Sequence, residues 1–124
     1  MVRLALIGVA GAVGSIARYW IAGVLLPWTR DGFPWGTLSV NVAGSLLIGV
    51  VIAAAIERQW LSPDLRVALA AGFCGGFTTM SSFSFEMLAL LEQGAVGLAF
   101  GYAVLTVGVC LAATWTGIAL VRLM

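Results

Sequence analysis

From Gly72 to Glu86 the chain reads GFCGGFTTMSSFSFE. Thr78, Thr79, Ser81, Ser82 and Ser84 place hydroxyls in an otherwise apolar stretch, and Glu86 closes it with a carboxylate. Gly72, Gly75 and Gly76 stand just before them. Each glycine weakens a helix by about 1 kcal/mol relative to alanine, so the pattern predicts a broken helix. Inside a membrane, carbonyls freed by such a break must meet protein, water or an ion. A small hard cation with oxygen ligands would suit them. The blander reading is that the glycines only let neighbouring helices pack closely. Phe77, Phe83 and Phe85 surround the hydroxyls. A ring edge carries partial positive charge and can face a small anion, although phenylalanine in such a place more often simply packs.

A second set of polar residues recurs at helical spacing. Tyr102, Thr106, Cys110 and Thr114 follow one another every four residues, which puts them on one helix face. Such a stripe can line a polar path or bond one helix to another. Asn41, Ser45 and Gly49 repeat the spacing further upstream. An amide at Asn41 can join helices or offer a hydrogen to an anion. Arg18 ends an apolar run and is followed by Tyr19 and Trp20. It can snorkel to the membrane surface or line a wet vestibule that attracts anions. Glu86 can be the coupling site of a transporter or a vestibule residue.

The elements that carry these residues belong to a chain built for lipid. Of 124 residues, 62% are hydrophobic and 9% charged, and the mean hydropathy is +1.12. A soluble domain carries roughly 25% charged residues. A membrane span needs about 20 mostly apolar residues. Four candidates emerge, from about Leu4 to Leu26, Thr37 to Ile56, Leu65 to Leu91 and Ala95 to Leu120. Residues 1–124 therefore read as a single all-α domain of four transmembrane helices, the third broken near mid-membrane. So thin a bundle can hardly enclose an aqueous path alone, which predicts an oligomer.

Short polar connections separate the spans. Trp28 to Gly36 holds Pro34, Arg30 and Asp31. Ser62-Pro63-Asp64 is a helix start: a serine cap, proline at the first helical position and an acid in the first turn. Gly94 is placed to end a helix. Trp20, Trp28, Trp35 and Trp60 lie near span ends, where amphipathic rings favour the headgroup level. Arg3, Arg58, Arg66 and Arg122 fall on the side of both termini, and Arg30, with Arg18 nearest to it, on the other. That bias is modest and compatible with insertion in both orientations.

Several classes are disfavoured. All basic residues are Arg, there is no His, and the net charge is +1. A nucleic-acid partner would need a basic patch, and most zinc or acid–base sites would need His. No nucleophile–base pair stands out, so an enzyme is not expected. Cys74 and Cys110 lie in apolar stretches and read as small hydrophobes. Arg3 before an apolar run imitates a signal peptide, but the run is too long for one.

Three ordered motifs resemble the Fluc (CrcB) family of fluoride channels. Gly75-Gly76-Phe77-Thr78-Thr79-Met80-Ser81-Ser82-Phe83-Ser84-Phe85-Glu86 is similar to that family's GGxTTFSTFSxE. Gly36-Thr37-Leu38-Ser39-Val40-Asn41 with Gly44 is similar to GTLxVN, and Gly11 through Arg18-Tyr19 to GxxGxxxRY. The resemblance covers essentially the whole chain. It implies an antiparallel, dual-topology homodimer in the plasma (inner) membrane, multi-pass, with two pores that pass fluoride down its electrochemical gradient. It further implies a structural sodium at the dimer centre, held by the carbonyls of Gly75 and Thr78. Asn41 and Phe83 would line the fluoride path with Met80, Ser81 and Ser84, and Tyr102, Thr106, Cys110 and Thr114 would form a facing track. Arg18 and Glu86 would belong to a vestibule. Here Met80 replaces the family's first Phe, Ser82 its Thr, and Cys110 a hydroxyl. A fluoride pore must replace strong hydration by several weak donors, which hydroxyls, an amide and ring edges can do without trapping the ion.

Two other readings remain open. A proton-coupled exporter of the small multidrug-resistance type shares the size and span number but depends on an acid in its first span, which this chain lacks. A helper subunit that transports nothing is the third.

Overall fold

A computed structural model describes residues 1–25 and 32–124, and all of their regular structure is helical. The first helix, α1, covers Val2–Arg18 and continues as a wider, π-wound stretch over Tyr19–Leu25. α2 covers Trp35–Ile56. α3 is assembled from Pro63–Val67, a π-wound Ala68–Cys74 and Gly75–Phe77, which run on without a gap. α4 covers Met80–Glu92 and α5 Val96–Leu123. The expected loop from Trp28 lies outside the described residues as far as Asp31, as does the end of the first expected span at Leu26.

Among the described residues, three helices are long and apolar enough to cross a membrane: Val2–Val24, Trp35–Ile56 and Val96–Leu123. Where one span from about Leu65 to Leu91 was expected, two shorter helices stand, separated by Thr78 and Thr79. Both of those residues are extended, with φ/ψ of −85°/158° and −149°/109°. The glycines themselves stay helical. Gly72 and Gly76 are where α3 touches α1: a Cβ on Gly76 would run into the Gly11 carbonyl, and one on Gly72 into the Ile7 carbonyl. Close packing is thus what those two glycines do, and the chain leaves the helix only after them.

The caps follow the local sequence. The Ser62 hydroxyl accepts from Leu65 N–H at 3.3 Å, with Pro63 at the first helical position. At the far end of α4, Gly94 adopts φ +74°. Its N–H donates to Leu91 and that of Ala95 to Leu90, at 3.0 and 2.9 Å, which closes the helix with a Schellman turn.

Packing falls into two helix pairs, α1 on α3 and α2 on α5. In the second pair, Gly49 sits against the Thr114 carbonyl and Gly117 against the Leu46 carbonyl, so the two backbones touch without side chains between them. Ion pairs fasten one end of the molecule. Arg3 pairs with Asp64 at 2.6 Å and Arg122 with Glu57 at 2.7 Å. Arg58 donates to the carbonyls of Val121 and Arg122 at the end of α5 and lies over the Trp60 ring. The outward faces of α1 and α5 stay apolar, with Val9, Val13 and Ile16 on one and Phe100, Leu111 and Trp115 on the other. Water would not tolerate so much contiguous apolar surface, whereas lipid or another helix would.

Candidate ion groove at the helix interruption

The interruption frees backbone groups that must be accounted for one by one. The N–H of Thr79 donates to Asn41 Oδ1 at 2.7 Å, and Asn41 Nδ2 donates to the Thr79 carbonyl at 3.2 Å. Asn41 therefore pairs with Thr79 as a neighbouring backbone would. Cys74 O accepts from both the N–H and the hydroxyl of Thr78. Gly76 O accepts from Arg18 Nε at 3.0 Å and, at a longer 3.4 Å, from the Ser15 hydroxyl. A guanidinium at the carbonyl end of a helix also meets the negative end of its dipole. Among the described residues, no donor reaches the carbonyls of Gly75 and Thr78.

The start of α4 is closed by Thr79. Its hydroxyl accepts from Ser82 N–H at 3.1 Å and bonds with the hydroxyls of Ser82 and Ser81. Ser84 turns back onto the Met80 carbonyl.

Two hollows meet at this point. The larger is a groove of about 420 Å³ between α2, α3, α4 and α5. Asn41, Thr78, Met80, Phe83, Thr106 and Cys110 all line it. Thr106 is 7% exposed, and its hydroxyl is a buried side-chain oxygen without a partner among the described residues. A buried hydroxyl left unpaired is costly unless something in the hollow completes it. The second hollow, about 370 Å³, is lined by Ser15, Arg18, Thr37, Thr79, Ser82 and Glu86. Thr79 borders both.

The four-residue stripe on α5 divides between different neighbours. Thr106 and Cys110 face the groove. Tyr102 is fully buried behind Phe83, their ring centroids 5.0 Å apart, and its hydroxyl donates to Glu86 Oε2 at 2.8 Å. Thr114 bonds back to the Cys110 carbonyl at 3.1 Å, beside the contact with Gly49. The other Glu86 oxygen accepts from Thr37 at 2.5 Å. Gly75, Met80, Ser81 and Ser84 lie on the outer surface around the interruption.

Thr37, Thr79 and Ser82 are site residues that spacing alone did not single out. Thr37 had a signal: it extends the series of Asn41, Ser45 and Gly49 back by one more turn. Thr79 and Ser82 had none beyond their place in a hydroxyl-rich run.

Comparison with known proteins gives this arrangement a context. The model of the CrcB-like protein, Camphor Resistance (CrcB) family matches residues 5–118. The chain belongs to the CrcB family. Among curated relatives of this CrcB chain, a Geobacter sulfurreducens protein named fluoride-specific ion channel FluC is 45% identical over 98% of both chains. One of the same name from Anaeromyxobacter dehalogenans is 48% identical, over 98% of this chain and 97% of its own. A third, from Rhizobium meliloti, is 42% identical over 100% and 99%. With its apolar helices, this CrcB chain is a multi-pass integral membrane protein.

Proposed function

We propose that this CrcB chain is a fluoride-selective channel, exporting fluoride passively down its electrochemical gradient. The relatives named fluoride-specific ion channels support this over nearly their full length. The observation that carries it is the groove, where the unpartnered Thr106 hydroxyl and the Asn41 amide stand with the Phe83 ring. These are weak, neutral donors. Fluoride can exchange water for them and still leave, as conduction requires. Cys110 adds only a weak S–H donor. Met80 supplies a flexible, polarizable thioether where a ring edge would otherwise stand. Ser81 and Ser84, with the rest of the stripe through Tyr102 and Thr114, would extend the path beyond the groove. Arg18 and Glu86 would form its vestibule, the second hollow.

The working form is an antiparallel homodimer with two pores, each protomer inserted opposite to the other, in the plasma (inner) membrane. In each protomer, α3 and α4 together make the third of four spans, broken at Thr78 and Thr79 inside the bilayer. The apolar outer faces of α1 and α5, and the open surface at Gly75, favour a second copy over a monomer. A sodium ion at the dimer centre would supply a fixed positive charge joining the two copies. The carbonyls of Gly75 and Thr78 fit it, since both are free of donors among the described residues. Among the described residues, no cluster of three His, Cys, Asp or Glu side chains competes with them, so the ion would be held by backbone oxygen.

The deciding experiment is efflux from liposomes, read by a fluoride electrode, with an ion gradient as the only driving force. Rapid fluoride-selective efflux supports the channel. Folded dimers that pass nothing would leave the helper subunit as the better reading.

A further inference from the structure

The groove also gathers sulfur. Cys74 on α3, Met80 at the start of α4 and Cys110 on α5 all line it. Three separate helical elements thus bring sulfur to one hollow of about 420 Å³. Both cysteines are free thiols. Cys74 is buried, Cys110 half-buried, and Met80 lies at the open edge, 71% exposed. The backbone of Cys74 is occupied by Thr78, but neither thiol has a hydrogen-bond partner among the described residues, so nothing ties up the sulfurs.

We propose that Cys74, Met80 and Cys110 form a binding site for a soft monovalent cation, of the Cu⁺ or Ag⁺ class, and that its occupancy closes the groove. Thiolate and thioether ligands select soft metals over hard ones. The hydroxyls and amide in the same groove offer such an ion little, so selectivity rests on the sulfurs. Binding is a substitution without redox change. Each cysteine that ligates gives its S–H proton to solvent and forms a metal–sulfur bond, while Met80 adds its thioether without losing a proton. The metal keeps its oxidation state, and its affinity rises with pH as the thiols deprotonate. Asn41 and Thr106 line the same groove, so a cation held there would occupy space that an anion would have to cross.

The blocking part of this inference rests on the channel reading; the binding part does not. The test uses purified, reconstituted protein and silver nitrate in chloride-free buffer, because silver fluoride stays in solution. Silver retained after desalting is measured by elemental analysis, and near-ultraviolet absorption reports silver–thiolate bonds. Fluoride efflux is read in the same vesicles, each protein compared with its own silver-free rate. The expected result is stoichiometric silver on each protomer and loss of efflux. The expected variants are C110S, C74A and M80F. Each should raise the silver concentration for half-block by at least the roughly tenfold that loss of even an outer-shell partner costs. A native protein that retains no silver overturns the site, and so does retention unchanged in the C74A/C110S double variant. Silver that binds while efflux continues overturns the block. A protein silent without silver sinks the channel reading instead, while the retained silver still reads the sulfurs.

Discussion

The side-chain amide of Asn41 and the backbone of Thr79 are joined by two hydrogen bonds, of 2.7 Å to Oδ1 and 3.2 Å from Nδ2. The pairing makes a residue of α2 the support for a break 38 positions away. Asn41→Ala should leave a buried N–H and carbonyl unpaired, costing about 1–3 kcal/mol for each. Lower thermal stability and fluoride efflux reduced about tenfold or more are expected together. Asn41→Asp keeps the acceptor but loses the donor, so it should slow efflux with a smaller loss of stability. Unchanged stability and efflux in both variants would remove the support role.

Arg18 caps the carbonyl end of α3 through Gly76. A charge-assisted bond of this kind contributes about 1.5–3 kcal/mol. Arg18→Gln should lower thermal stability as well as flux, and Arg18→Lys should restore part of both, since it keeps the charge but not the planar donor. An Arg18 that only attracted anions would behave differently. Its loss would slow flux without touching stability, and high salt would erase the difference.

Glu86→Gln separates a channel from a proton-coupled exporter. The carboxylate accepts from Thr37 and Tyr102, and an amide can keep only one of those acceptor roles. A bond to a charged group contributes about 1.5–3 kcal/mol, so thermal stability should fall by about that much while passive efflux persists in the folded variant. Complete loss of transport in a folded variant, with proton-driven uptake in the native protein, would favour the exporter.

Gly49→Ala tests the contact between α2 and α5. The new Cβ would meet the Thr114 carbonyl, and backbone cannot swing aside. Overpacking of this sort costs about 1–3 kcal/mol. The variant should melt earlier in detergent and yield less monodisperse protein. Native-like melting would mean the helices part more easily than their contact implies.

The Glu57–Arg122 pair sets a pH dependence. The hydrogen-bonded Arg122 guanidinium holds the Glu57 carboxyl below its usual 4.5. A depressed carboxylate stabilises the fold above the unfolded value, and the effect is lost as pH falls through the folded one. The melting difference between native protein and Glu57→Gln should therefore be present above pH 4.5 and vanish in stronger acid. Both partners are exposed, so the difference is small and shrinks with salt. A gap that persisted below that range would assign it to something other than the ion pair.

Much of this architecture was legible from residue pattern. α1, α2 and α5 follow from apolar runs long enough for a bilayer. The Ser62 and Gly94 caps follow from local chemistry. The place of the break did not. Glycine content pointed to residues 72–76, yet Gly72 and Gly76 are held helical by their contacts with α1. The chain opens instead at Thr78 and Thr79, where Asn41 supplies the missing backbone partner. Such a partner leaves no local trace. On α5, equal spacing gives one face, but successive turns of that face meet different neighbours. Tyr102 meets Glu86, and Thr106 and Cys110 meet the groove.

Thr79 borders both hollows, so one residue belongs to the wall of each. If the two are successive chambers of one passage, a crossing ion has one doorway to clear rather than a long corridor. Its slowest moment would then be set by how far one threonine side chain swings, and not by the length of the helices around it.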